Sequence, residues 1–291
     1  MLDITCSMVL FHNAVDEIRK PIESFLSCSK RVKLYLVDNS SDDSLRYQFI
    51  HPQIEYLFPG KNLGYGAGHN LAIEKAQGRS LYHIILNPDI EFNAEILDGL
   101  FDFMQLNRDI GLVMPKILYK SGEIQYLCKQ LPSPTDLFLR RFIPGPVKFI
   151  FRKLLSAYEL RHKDYNTIME VPNLSGCFMF VRTEVFAKVG LFDERYFLYL
   201  EDTDLCRRIN EYYRTVYYPI ESIIHGYRKA SYKNLRLLSH HVKSSIKYFN
   251  KWGWFNDRKR ALINKAIDRT TTQPLFRDPI FIHTTQSVSA S

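Results

Sequence analysis

Two clusters of oxygen-bearing side chains in this 291-residue chain have the types and spacing to do chemistry. The first is Asn87-Pro88-Asp89, directly after the apolar run Ile84-Ile85-Leu86. That run is rich enough in β-branched residues to be a buried strand. Pro88 cannot donate to a sheet ladder, so the strand stops there. Asn87 and Asp89 then lie just past its carboxyl end, the edge at which open α/β sheets bind ligands. A hard divalent cation such as Mg²⁺ takes one or two such oxygens, with phosphate and water completing its shell. An Asx–Pro turn that merely ends a strand would use the same residues. The second cluster is Glu201-Asp202-Thr203-Asp204, at the expected start of a helix continued by Leu205, Ile209 and Tyr212. Acids suit a helix N-terminus, but capping needs one or two of them and here there are three. Asp202 and Asp204 cannot share a helical face, which leaves one to point at a cleft while the other caps or orients. His225 ends the apolar run Ile223-Ile224 much as Asp89 follows its own strand.

Between these lies Gly60-Lys61-Asn62-Leu63-Gly64-Tyr65-Gly66-Ala67-Gly68-His69-Asn70, running into a helical Leu71–Ala76. Glycines at alternate positions let backbone N–H groups approach a ligand, and the helix behind them favours negative charge. The spacing is neither the dinucleotide fingerprint nor a P-loop. It is expected to be a cradle for a nucleoside diphosphate, with a tight structural turn as the alternative. A metal, a phosphate cradle and a free carboxylate suit group transfer from a nucleoside diphosphate. The cation offsets the leaving diphosphate's charge, and a carboxylate takes the proton from an attacking hydroxyl.

The elements that must position these groups follow from periodicity. Ile4–Phe11, Val32–Val37 and Ile54–Phe58 are expected strands. Val15, Ile18, Ile22 and Leu26 mark one face of a helix between the first two, a βα unit with a parallel partner. A helix over Ala94–Leu106 and strands over Gly111–Pro115, Cys177–Val181, Thr215–Tyr218 and Ser222–Ile224 complete an α/β chain. Hydrophobic residues are 46% and charged residues 24% of a soluble, globular composition. No run of 18 uncharged apolar residues is long enough to span a bilayer. The start lacks a basic region and a cleavage site, so no signal peptide is expected. Five scattered cysteines without a CxxC spacing fit neither a disulfide framework nor a zinc site and suit a reducing cytoplasm.

The order Val37-Asp38-Asn39-Ser40, Asn62–Asn70, Leu86–Asp89, Ser175-Gly176-Cys177-Phe178, Gly190–Glu194 and Glu201–Leu205 resembles family 2 glycosyltransferases. The likeness is to the rhamnosyltransferase-like branch of bacterial O-antigen and cell-wall polysaccharide synthesis, and it covers roughly residues 3 to 250. It implies a GT-A fold, a Rossmann-like and mainly parallel sheet flanked by helices. It also implies a nucleotide-sugar donor, Mg²⁺ or Mn²⁺, and single-displacement inversion at the anomeric carbon. Carried over by position, Asp38 and Asn62 hold the nucleoside. Phe11, Asn39, Gly64, Tyr65, Gly66, Gly68, Asn70 and Asn87 complete the donor set. Asn87 and Asp89 stand where the family has its DxD motif, so Asp89 must carry most of the metal binding, with His225 a further candidate ligand. Asp202 is the implied base, supported by Glu201 and Asp204.

The net charge of +8 is unevenly placed: from Arg228 to Arg260 there are ten Lys and Arg against Asp257 alone. Such a segment faces phosphate, on nucleic acid or on an anionic membrane. The expected organisation is a catalytic domain over 1–230 with a basic, apolar insertion at about 131–165. A basic amphipathic helical extension follows over 231–268, and then a disordered tail over 269–291. In the extension Leu235, Leu238, Val242, Ile246 and Phe249 are expected to pack on the domain while Lys and Arg face lipid. This fits a peripheral enzyme on the inner face of the bacterial inner membrane whose acceptor is a polyprenyl-diphosphate-linked glycan. The first-choice donor by resemblance is dTDP-rhamnose, with UDP-linked hexoses or galactofuranose next. A nucleic-acid-binding module would not need the acids at 201–204, which repel phosphate. A non-catalytic sugar-nucleotide scaffold would not need both Asp89 and Asp202.

Overall fold

The structure, a computed structural model, describes residues 1–142, 150–226 and 235–269. The centre is a sheet in the order β3-β2-β1-β4-β8-β6-β9-β5. Strands β1 (Leu2–Leu10), β2 (Val32–Asp38), β3 (Ile54–Leu57) and β4 (Ser80–Leu86) pair in parallel. Strand β8 (Phe178–Arg182) runs antiparallel between β4 and β6 (Ile110–Leu118), and β9 (Arg214–His225) lies parallel to β6. Two short strands, β5 (Ile90–Glu91) and β7 (Met169–Glu170), pair antiparallel with β9. The carboxyl ends of β1, β2, β4, β6 and β9 therefore lie along one edge, where β8 begins. The expected strands at 215–218 and 222–224 are one strand, kinked where its register with β6 shifts between Pro115 and Lys116.

Helices cover both faces. Helix α1 (Val15–Leu26) buries Ile18, Ile22 and Phe25, as its apolar spacing requires. Helices α3 (Glu95–Leu106) and α6 (Thr183–Val189) add Leu97, Leu100, Val185 and Phe186 to the same core. The insertion contributes α4 (Pro134–Phe142) and α5 (Arg152–Tyr158); its Pro144-Gly145-Pro146 break lies outside the described residues. All five cysteines are buried thiols. No helix among the described residues is long and apolar enough to cross a membrane. Residues 270–291, nearly all of the tail read as disordered, lie outside the described residues.

Two expectations are overturned by packing. The glycine-rich stretch is largely helix: α2 runs over Tyr65–Ala76 and takes in Gly66 and Gly68. A Cβ on Gly66 would lie 2.9 Å from Phe192 Cβ, and one on Gly68 would lie 2.9 Å from a Val9 methyl. These glycines let the helix sit closely against Phe192 and Val9. The second concerns the C-terminal helix α8 (Leu235–Trp252), where Phe249 packs on the domain as expected but Leu235, Val242 and Ile246 do not. It buries Ser244, Tyr248 and Phe249, and leaves Leu235, Val242 and Ile246 exposed beside its lysines. Tyr248 and Phe249 pack with Leu137 of α4 and with Tyr196 and Leu200. Helix α9 (Arg258–Arg269) closes the described chain and sends Ile267 into the main core.

A polar chain crosses the interior of the sheet. Ser7 Oγ lies 2.7 Å from His69 Nδ1 and 2.8 Å from His83 Nε2. Thr5 Oγ1 lies 2.9 Å from His83 Nδ1 and 2.8 Å from Ser80 Oγ. Burial holds the His69 imidazole well below the usual range and brings His83 down to about 3. Both rings are therefore neutral in the folded protein.

Candidate active site

Asn87 and Asp89 leave the end of β4 as expected, and the sheet explains where they go. The Asn87 amide donates to the Cys177 carbonyl at 2.9 Å, which holds the turn against the start of β8. Pairing of β5 with β9 sets Ile90 opposite His225, and the Gly226 amide donates to the Asp89 carbonyl at 2.8 Å. The imidazole is thereby delivered to the carboxylate: His225 Nε2 lies 3.3 Å from Asp89 Oδ1. Behind it, Nδ1 lies 3.0 Å from Gln125 Oε1. The Gln125 amide nitrogen donates to the carbonyls of Leu118 and His225, so its oxygen must be the atom facing the ring. An amide oxygen only accepts, so Nδ1 carries a proton, and Nε2 is the ring nitrogen turned toward Asp89.

Two acceptors held side by side suit a cation. The donor set, one carboxylate oxygen and one imidazole nitrogen with a fixed partner behind it, fits a divalent metal whose remaining positions go to diphosphate and water. Asn87 is less available than expected: its Oδ1 lies 3.1 Å from the Tyr65 hydroxyl, which donates to the Gly176 carbonyl at 2.6 Å. No group of three or more His, Cys, Asp or Glu suited to a metal occurs among the described residues.

Helix α7 (Glu201–Ile209) brings in the second cluster, and the three acids separate. Asp202 faces the cleft. One of its oxygens accepts from the Gly176 amide at 2.9 Å and the other from the Thr203 amide at 2.7 Å. Glu201 is buried, and desolvation followed by the neighbouring Asp202 charge pushes its carboxyl well above the usual range. Its Oε2 has no hydrogen-bond partner among the described residues. Asp204 is a correction. It points away from the cleft, fully buried, and binds Arg208 at 2.9 Å, Lys251 Nζ at 2.7 Å and Trp252 Nε1 at 2.8 Å. It ties α8 to α7. One turn on, Arg207 makes a buried bidentate pair with Asp257 at 2.7 and 2.8 Å. Directly before α7, Tyr199 and Leu200 both have positive φ, at 72° and 67°. Two consecutive non-glycine residues there are strained. The segment is held in place: Leu198 O accepts from Ser244 and Phe197 stacks on His240.

Two cavities meet at these groups. One, of about 770 Å³, is lined by Phe11, Tyr65, Asn87, Asp89, Asp202 and His225, with Lys20 and Lys120 at its border. Both lysines pair with Glu91, at 3.2 and 3.3 Å. The other, of about 710 Å³, is lined by Tyr126, Lys129, Tyr158, Arg161 and His241, and it shares Ser175, Tyr199, Glu201, Asp202 and His225 with the first. Asp202 thus stands at the junction.

The remaining expected donor residues are elsewhere. Asp38, buried at the end of β2, accepts from the Ser40 amide at 2.9 Å and from the Tyr56 hydroxyl. Asn39 donates to the Gly64 carbonyl at 2.9 Å, and Asn62 accepts from the Gly64 amide at 2.9 Å. These residues shape the turn into α2, where Gly64 has a φ of +88° and the Tyr65 amide donates to Phe197 O. Asn70 is corrected with Gly66 and Gly68: it donates to Phe192 O and Glu194 and accepts from the Phe192 amide, so it staples a loop. Sequence reasoning missed Gln125, Lys20 and Lys120. Only Gly176, inside the Ser175-Gly176 motif, carried a local signal. A Cβ there would lie 3.2 Å from Asp202 Cβ.

A model of the family described as Glycosyl transferase family 2 matches residues 7–190. A Mycobacterium tuberculosis N-acetylglucosaminyl-diphospho-decaprenol L-rhamnosyltransferase is 27% identical over 76% of each chain. Rhamnosyltransferase WbbL of Escherichia coli is 26% identical over 91% of this chain and 97% of its own. The low-salt glycan biosynthesis hexosyltransferase Agl10 of Haloferax volcanii is 26% identical over 72% of this chain, which spans 62% of that protein. Among solved structures, GalNAc-T7 with UDP, GalNAc and Mn²⁺ superposes with a TM-score of 0.60 at 15% identity, over 78% of this chain and 43% of that one. That likeness speaks for the fold alone.

Proposed function

The chain belongs to glycosyl transferase family 2, and from that premise we propose that it is a metal-dependent, inverting L-rhamnosyltransferase acting on a lipid-linked acceptor. The donor is dTDP-rhamnose and the acceptor is a hydroxyl of a polyprenyl-diphosphate-linked glycan in surface polysaccharide synthesis. The mycobacterial and Escherichia coli relatives, both named as rhamnosyltransferases, support the sugar. The decaprenol-diphosphate in the mycobacterial name supports the acceptor class.

The observation that carries the reading is the position of Asp202, at the junction of two cavities and beside the Asp89–His225 pair. The donor occupies the first cavity, with its diphosphate toward Asp89 and His225. Asp89 and His225 would hold a divalent cation, which would supply positive charge against the leaving diphosphate. The acceptor occupies the second, where Tyr126, Tyr158 and Tyr199 offer rings to a sugar face. Asp202 accepts the proton as the acceptor oxygen bonds to the anomeric carbon and the bond from that carbon to the diphosphate breaks. The Gly176 and Thr203 amides hold its carboxylate in one orientation through the step. Burial pushes the Glu201 carboxyl well above the usual range, which favours its neutral form beside Asp202.

The test is a thermal-shift screen with dTDP, UDP, GDP and CMP, each with and without Mn²⁺, followed by turnover of the stabilising donor class. Selective, Mn²⁺-dependent stabilisation by dTDP is expected. Stabilisation by UDP instead would replace the rhamnose donor with a UDP-hexose. Asp202→Asn should keep the nucleotide shift and lower kcat by about 10²- to 10⁴-fold; unchanged turnover would remove Asp202 from the base role.

A further inference from the structure

The outer face of α8 is unusual for a solvated helix. Its exposed positions, Leu235, Arg236, Ser239, Val242, Lys243, Ile246, Lys247 and Asn250, recur at spacings of three and four and so form one stripe of basic, apolar and two small polar side chains. Leu235 is 83% exposed and Ile246 is 43% exposed, while Ser244 on the opposite side is buried. The stripe carries on past the helix to Phe255, 82% exposed. The insertion repeats the pattern: Ile150, 74% exposed, stands beside exposed Arg152, Lys153 and Leu154 at the start of α5. Neither α5 nor α8 contains a single acid.

We propose that α5 and α8 together form a membrane-docking face that seats on an anionic lipid bilayer, apolar side chains inserted between basic ones, with the second cavity held at the lipid surface. The same helices wall that cavity, through Tyr158 of α5 and His241 of α8, joined by Leu137 of α4. A bilayer interface uses both halves of the stripe. Lys and Arg stems lie along the apolar boundary with their charges on lipid phosphates, and Leu, Val, Ile and Phe leave water. Each cation near an anionic surface adds to the attraction. A nucleic-acid backbone uses only the cations and leaves the apolar side chains in water. A second copy of the same face brings like charges together. The docked acceptor rests on the function proposed above; the docking face does not.

The test is co-sedimentation of the full chain with vesicles of phosphatidylcholine alone and of phosphatidylethanolamine with phosphatidylglycerol. Binding is expected only to the anionic vesicles, with part of it surviving high salt because it is apolar. Val242→Ser with Ile246→Ser should remove the salt-resistant part. Lys243→Glu with Lys247→Glu should weaken binding at low salt by about tenfold or more. These four side chains are exposed, although Lys247 also donates to the Arg195 carbonyl, and circular dichroism of both variants checks that the fold is unchanged. Equal binding by both double variants and the parent overturns the proposal, as does failure of the parent to bind. Duplex DNA binding that replaces vesicle binding overturns it in favour of nucleic acid, and dimerisation lost in the serine variant overturns it in favour of a self-association face. Turnover of a short-chain, water-soluble acceptor separates the two readings: retained activity with lost vesicle binding faults the docking face alone.

Discussion

Glu201, Asp202 and Asp204 share one turn of helix, and the fold gives each a different environment. Burial favours the neutral form of Glu201, two backbone amides aim Asp202 at the cavity junction, and Arg208, Lys251 and Trp252 take up Asp204. The cluster was legible as a helix start with surplus acid, and opposed faces for Asp202 and Asp204 followed from the helical period. Which of the two met the cleft was not legible, because Asp204's partners Lys251 and Trp252 lie more than forty residues away. The same holds for His225. Its end-of-strand position was readable, but Gln125, which fixes its tautomer, is 100 residues distant and marked by no motif. Gln125→Leu should therefore act through the ring. It removes the acceptor at Nδ1, and Mn²⁺ affinity in the presence of nucleotide should fall by about 10- to 100-fold. Nucleotide affinity without metal should stay as it was. A Mn²⁺ titration followed by thermal shift measures both, and an unchanged Mn²⁺ midpoint would show that the tautomer of His225 does not matter to the cation.

At the scale of elements, the longer strands were readable as apolar runs or loose alternation, and α1, α3 and α7 by apolar residues at about 3.6 spacing, whereas the two-residue strands β5 and β7 left no pattern. The start of α2 was not readable. Glycine is a poor helix former, so three of them read as a loop, and only the contacts of Gly66 with Phe192 and of Gly68 with Val9 explain their presence. Helix α8 was readable as a helix but its orientation was not, since it has apolar residues on two sides and it is Tyr248 and Phe249 that pack with Leu137, Tyr196 and Leu200. The packing account of α2 makes a prediction opposite to that of a phosphate cradle. In Gly66→Ala the new methyl meets the Cβ of Phe192, an atom fixed to backbone. The helix must shift, at a cost of about 1–3 kcal/mol typical of overpacking. Urea denaturation should show that loss while nucleotide affinity in the folded fraction stays within about twofold. A stable variant that binds nucleotide poorly would return Gly66 to the donor site.

For the whole molecule, the buried histidines set how stability answers to pH. His83 titrates at about 3 when folded and near 6.5 when unfolded, and His69 is shifted in the same direction, both by desolvation. A folded-state pKa below the unfolded one means that the unfolded chain binds the extra proton first. Stability is therefore complete above about pH 6.5 and is lost progressively as pH falls toward 3. At pH 5 the loss is about 2 kcal/mol for His83 alone, by the linkage relation. Paired carboxylates push the same way only at lower pH: Asp193, bound to Arg195 and Lys251, is held well below the usual range, so its contribution goes last. Across the window from about pH 6.5 to 5 Glu201 works the other way, because its raised carboxyl takes a proton in the folded protein before it does in the unfolded chain, so a comparison with a His83 variant is needed to separate the histidine contribution. Urea midpoints taken across that window should fall steadily in the parent. In His83→Gln, which can still bond Thr5 and Ser7 but cannot titrate, the slope should be markedly shallower even if the variant is less stable at pH 7.5. An equal slope in both proteins would place the acid sensitivity elsewhere in the fold and leave the Ser7–His83 chain as packing alone.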